Sequence, residues 1–112
     1  MDRVLIVCGA GASSTFLALR MRRALRERDL DLVVEAGTVA DVGERLAATR
    51  ILLVGPHLAE QFGALAGEAA AAGAEAGLLP GTVYGPDGGE LAADIVTELL
   101  AARGSSSPNA QG

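Results

Sequence analysis

The run Arg3 to Val7, RVLIV, most constrains the fold of this chain. It is apolar and β-branched without a break, and it stops at a glycine turn. A strand with one wet face alternates polar and apolar residues; this one does not, so both of its faces must be covered. A strand of that kind belongs to a parallel sheet with helices packed above and below it.

The rest of the chain supplies matching elements. Ser13 or Ser14 is a suitable helix N-cap, and Leu17, Met21, Ala24 and Leu25 then recur at helical spacing, with Arg20, Arg22, Arg23 and Arg26 on the other face. DLVVEA, from Asp31, reads as a second strand. Thr38 or Asp41 caps a short helix through Ala47. RILLV, from Arg50, is a third strand stopped by Gly55-Pro56, and proline favours the first turn of a helix running from there to about Ala72. AEAGLL, from Ala74, is a fourth strand. A turn-rich loop from Pro80 to Gly89 and a last amphipathic helix to Ala102 complete the pattern.

The order β-α-β-α-β-α-β-α predicts an α/β fold: three layers around a doubly wound, four-stranded parallel sheet of the flavodoxin-like kind, similar to low-molecular-weight tyrosine phosphatase. Residues 1–103 form one domain. The tail 104–112, GSSSPNAQG, has the composition of a disordered end. In such sheets ligands bind beyond the carboxyl ends of the strands, where the winding reverses, here between the first and third strands. The loops after Val7 and after Val54 are therefore expected to be neighbours. The first carries Cys8 and the second carries Pro56 and His57.

Composition narrows the function. The chain has 112 residues and a net charge of −5, and all nine of its basic residues are arginines. No domain-wide basic surface is expected to hold a nucleic-acid backbone. With only Phe16, Phe62 and Tyr84 as aromatics, stacking on single strands is also disfavoured. Asp87, Glu90 and Asp94 match no metal-binding spacing, and no cofactor or metal is expected. No secretory leader opens the sequence and no apolar run is long enough to span a bilayer, which predicts a cytoplasmic chain without direct membrane insertion.

Cys8 is the one cysteine, so it forms no internal disulfide. Gly9 and Gly11 let the backbone turn its N–H groups inward, and the following helix start adds free N–H groups and a positive partial charge. A thiol so placed is expected to have a lowered pKa. Gly9, Ala10, Gly11, Ala12, Ser13, Ser14 and Thr15 would cradle an anion held on its sulfur. The bland alternative is a small buried hydrophobe. Absence of lysine excludes the G-K-[ST] phosphate loop, and Ser14 stands where G-x-G-x-x-G needs its last glycine. The phosphatase loop C-x-x-x-x-x-R also meets Ser14 in place of its arginine clamp.

CGAGASSTFLALRMR resembles the phosphorylation loop of the enzyme IIB components of the bacterial phosphoenolpyruvate-dependent sugar phosphotransferase system. Cys8, Ala10, Gly11, Ser13, Ser14, Thr15 and Leu17 match the C-x-A-G-x-S-[ST]-[ST]-x-L form of the lactose/cellobiose (chitobiose) class. LLVGPHLAEQF is similar to that class's third strand and Gly-Pro turn, and VYGPDGG to its Tyr-Gly segment. CGxG also opens the loop in the ascorbate and galactitol classes.

The resemblance implies a phosphotransferase in which Cys8 takes a phosphoryl group from a phosphohistidine of a IIA component. It then passes the group to a sugar held by the membrane IIC component. The chain would be peripheral to the membrane through IIC. Pro56, His57 and Tyr84 would lie on a partner-facing edge. The competing readings are a small cysteine-dependent phosphatase and a regulatory anion-binding module of the same fold.

Overall fold

The structure, a computed structural model, describes residues 2–8 and 11–105, with backbone alone at 2, 11–14 and 102–105. Four strands, β1 (Asp2–Val7), β2 (Leu32–Gly37), β3 (Ile51–Val54) and β4 (Glu75–Leu78), form one sheet in the order β2-β1-β3-β4. Every pairing is parallel. The helices are α1 (Gly11–Glu27), α2 (Val39–Arg45), α3 (Phe62–Ala71) and α4 (Gly88–Ser105), with 3₁₀ turns at Leu46–Ala48, Pro56–Gln61 and Gly81–Tyr84. The chain winds outward from β1 to β2, crosses back over β1, and continues through β3 to β4. This is the expected doubly wound α/β fold.

The central strands are buried on both faces, as their unbroken apolar sequences require. Val4, Leu5, Ile6 and Val7 are inaccessible, and so are Ile51 to Val54. The two-residue pleat sorts them. Val4, Ile6, Ile51 and Leu53 pack with Leu17, Met21, Leu25, Ala92, Ala93 and Val96 under α1 and α4. Leu5, Val7, Leu52 and Val54 pack with Val42, Leu46, Leu58 and Leu65 under α2 and α3. The core is mainly aliphatic, with Phe62 packed against its α2–α3 layer, and burying each large side chain contributes about 1.5–3 kcal/mol.

α1 and α4 lie close together. A Cβ on Gly89 would stand 2.7 Å from Arg20 Cβ and 2.9 Å from the Arg20 carbonyl oxygen. Arg28 ties the far end of the pair, reaching Glu90 Oε1 at 2.8 Å and Asp94 Oδ1 at 2.9 Å. Arg22 Nε donates to the Val34 carbonyl of edge strand β2 at 3.0 Å. Arg22 of α1 and Arg28 just beyond it thus tie neighbouring elements together.

Three boundaries differ from expectation, and the cap of α2 agrees with it. α1 begins at Gly11, so Ser13 and Ser14 sit in its first turn and not at the N-cap. First-turn N–H groups need no intrahelical partner, so a helix can start straight out of the glycine loop. Thr38 is the N-cap of α2, and its N–H donates to Asp41 Oδ2 at 3.0 Å. Pro56 opens a 3₁₀ turn, and the α-helix behind it starts only at Phe62. α4 extends to Ser105, which takes Gly104 and Ser105 out of the expected tail; residues 106–112 lie outside the described residues. Among the described residues no helix is long and apolar enough to cross a membrane.

Candidate functional site

β1 and β3 end side by side, because Val7 pairs with Val54. The register continues one step further, where the Gly55 N–H donates to the Val7 carbonyl at 2.7 Å. The pleat that points Val4 and Ile6 toward α1 and α4 points Cys8 the same way, and the thiol is 3% exposed. Gly55 continues the Ile51–Leu53 face toward it. A Cβ on Gly55 would lie 2.8 Å from Cys8 Sγ and 3.2 Å from its Cα. Real Cβ atoms do not approach so closely, so the cysteine occupies space that only glycine leaves open. The neighbouring of the two loops is the arrangement expected at the switch point.

Three further pieces meet there. α1 starts three residues after Cys8, at the same end of the sheet, so the positive end of its dipole belongs to this site. Tyr84, on the turn that leads into α4, shares a hydrogen bond with the Cys8 side chain. His57, in the turn after β3, stacks on Tyr84 with ring centroids 5.4 Å apart and 24° between planes. Tyr84 Oη lies 3.5 Å from His57 Nδ1, the long limit of a hydrogen bond. The fold therefore gathers Cys8, His57 and Tyr84 into one cluster from three loops, with Pro56 next to His57 in the chain. His57 and Tyr84 are exposed and Pro56 is half-buried.

The electrostatics depart from expectation. Burial pushes the Cys8 thiol up from its ordinary range, and the hydrogen bond from Tyr84 only partly offsets this. The expected lowered pKa is thus corrected: the β1 pleat turns the sulfur into the core, and losing water outweighs the donor it gains. Tyr84 is pushed up to about 12 by burial and by the hydrogen bond and charge of Cys8. The resting pair is a thiol beside a phenol.

The remaining cradle residues are not all on view. Gly9 and Ala10 lie outside the described residues, and Gly11, Ala12, Ser13 and Ser14 are described as helical backbone alone. Thr15 is exposed.

Two neighbours of the site escape sequence reasoning. Phe16, 66% exposed, joins Leu17, Arg20, Val83 and Tyr84 around a depression of about 370 Å³. Its helical spacing marks it as off the core face, but nothing in the sequence brings it to Tyr84. Arg20 donates to the Gly85 carbonyl at 3.0 Å and so pins the Tyr84 turn to α1. A larger depression of about 670 Å³, between the arginine face of α1 and the start of α4, does not reach Cys8.

Fold and site together define a class: small flavodoxin-like α/β domains whose single cysteine closes the first strand at the switch point. Residues 3–79 match the family described as the lactose/cellobiose-specific IIB subunit of the PTS system, and the chain belongs to that family. Its members are phosphotransferases of sugar uptake. The chain is 32% identical over 90 residues to the PTS system galactose-specific EIIB component of Lactococcus lactis subsp. cremoris, covering 75% of this chain and 83% of the relative. It is 31% identical over 90 residues to the cellobiose-specific EIIB component of Lactococcus lactis subsp. lactis, with the same coverage.

Two solved structures share the fold. The lactose-specific IIB component domain from Streptococcus pneumoniae superposes with a TM-score of 0.76 at 15% identity, covering 88% of this chain and 96% of that one. The cellobiose-specific IIB component from Borrelia burgdorferi gives 0.64 at 19% identity, covering 90% of each chain.

Proposed function

We propose that Cys8 is the phosphoryl carrier of this chain. It takes the group from a phosphohistidine of a IIA component and delivers it to a sugar bound by the membrane IIC component. The observation that carries this reading is the buried Cys8 at the switch point, with the Tyr84 hydroxyl on its sulfur. In the first step the sulfur attacks phosphorus, the N–P bond breaks, and the thiol proton ends on the departing imidazole. In the second a sugar hydroxyl attacks phosphorus, the S–P bond breaks, and the hydroxyl proton restores the thiol.

Because Cys8 rests as a thiol, it gains nucleophilicity only as that proton leaves. Tyr84 is the group here that donates to the charge then developing on sulfur. Backbone N–H groups from Gly9 to Thr15 are the proposed holders of the phosphoryl oxygens, so the protein contributes positioning and electrostatics. Arg20, the first arginine after the loop, is engaged with Gly85. That supports a carrier over a phosphatase, which would need a guanidinium clamp on the transferred group. Pro56, His57, Tyr84 and the exposed Phe16 form the proposed docking edge. The reading puts the chain on the cytoplasmic side, peripheral to the membrane through IIC. Galactose, lactose and cellobiose are named for its relatives, and the sugar for this chain is selected in IIC.

The test is transfer. Incubation with phosphoenolpyruvate, the two general phosphotransferase proteins and a cognate IIA component is expected to raise the intact mass by one phosphoryl group. Cys8→Ser is expected to abolish the gain. No gain with the matched IIA, or rapid steady hydrolysis of an aryl phosphate, would overturn the carrier reading.

A further inference from the structure

The phenol of Tyr84 has one proton and stands between two heteroatoms, Cys8 Sγ and His57 Nδ1. It cannot donate to both. A bare Nδ1 competes with the sulfur for the phenol proton, and whenever it accepts that proton's hydrogen bond the sulfur faces oxygen lone pairs, which opposes negative charge on sulfur. If Nδ1 carries hydrogen it donates to Oη, and the phenol proton is left for the sulfur. The ring stack, 5.4 Å between centroids, holds the two side chains in register. No carboxylate forms an ion pair with His57 among the described residues, and Tyr84 Oη is the polar atom recorded within reach of its Nδ1.

We propose that His57 is a positioning residue: its Nδ1–H donates to Tyr84 Oη, so that the phenol proton points at Cys8 Sγ. The chain Nδ1–H···Oη–H···Sγ runs in one direction, and each bond polarises the next. It is broken by removing the imidazole even though His57 does not touch the sulfur. Its consequence for transfer rests on the carrier reading above. The direction of the phenol proton is a property of the free protein and is read without any transfer.

The experiment follows Cys8 ionisation by its thiolate ultraviolet absorbance against pH, with Cys8→Ser as the blank. His57→Phe keeps the ring stack and lacks Nδ1. His57→Asn lacks the ring and carries an amide nitrogen near the place of Nδ1. His57→Phe is expected to raise the Cys8 midpoint by about 0.5 to 1 pH unit, the effect of losing one hydrogen bond. His57→Asn is expected to restore more than half of that shift. Phosphoryl uptake from IIA is expected to slow by about three- to tenfold in His57→Phe.

A midpoint that stays in place or falls in His57→Phe overturns the proposal, because Nδ1 then does not direct the phenol proton toward sulfur. Equal shifts in both variants overturn it as well, since the ring and not Nδ1 would be acting. A wild-type chain that gains no phosphoryl group, with the midpoints moving as expected, overturns the carrier reading and supports the positioning role.

Discussion

Gly55 and Cys8 are in contact across the gap between β1 and β3: a Cβ on Gly55 would fall 2.8 Å from Cys8 Sγ and 3.2 Å from Cys8 Cβ. Two strands of one parallel sheet end together there, and one of them must give up its side chain for the other to keep a thiol. Gly55→Ala is expected to displace the cysteine and to destabilise the domain by about 1–3 kcal/mol, the usual cost of overpacking. Phosphoryl uptake is expected to fall at least tenfold, because about an ångström of misplacement is costly in a reaction governed by positioning. Uptake at the wild-type rate in a folded Gly55→Ala protein would contradict the contact.

Tyr84→Phe keeps the ring's bulk and removes its donor. Cys8 loses the side-chain hydrogen bond that pulls its pKa down, while the burial that pushes it up stays. The Cys8 midpoint is therefore expected to rise by about 0.5 to 1 pH unit. Adding His57→Phe in this background is expected to change the midpoint little further, since both act through one hydroxyl. Thiolate absorbance of the single and double variants checks both statements.

Stability is expected to fall on the alkaline side. The folded state holds the Cys8 proton more tightly than the unfolded chain does, its pKa lying above the ordinary 9.0. The stability this gives is complete below about 9 and is lost as pH rises through the folded value. Tyr84, raised to about 12, acts in the same direction at higher pH. Each group contributes a slope of at most about 1.4 kcal/mol per pH unit. Urea unfolding between pH 8 and pH 10 is expected to show a smaller decline in Cys8→Ser than in the wild type.

Two glycine-to-alanine changes are expected to have opposite signs. Gly89→Ala would drive a methyl into Arg20, 2.9 Å from its backbone oxygen, and separate α1 from α4. A loss of about 1–3 kcal/mol follows. In α3 a Cβ on Gly67 meets nothing within 4 Å, so Gly67→Ala is expected to gain about 0.5–1 kcal/mol from helix propensity. Thermal unfolding resolves both, at about 4–8 °C per kcal/mol for a domain near this size.

The layers were legible in RVLIV and RILLV, because a strand without polar alternation must be covered on both sides. The element order followed from glycine, proline and cap residues between the apolar runs. Boundaries were less legible. Ser13 is equally compatible with a cap and with a first turn, and Pro56 favours a 3₁₀ start as readily as an α start. Arg20 is one of four arginines along α1 and is singled out only by the arrival of Gly85.

By itself the sequence determined an α/β sheet, the position of one cysteine at the end of its first strand, and the loop form of its family. Those depend on neighbours in the chain: hydrophobic period, turn residues and motif spacing. Tertiary structure decided the state of that cysteine. Burial lifts its pKa against the helix-terminus argument, Tyr84 reaches it from 76 residues away, and His57, 49 residues away, reaches Tyr84. Desolvation and hydrogen-bond partners come from residues remote in sequence, so the thiol's chemistry could be read only once the sheet had brought its loops together.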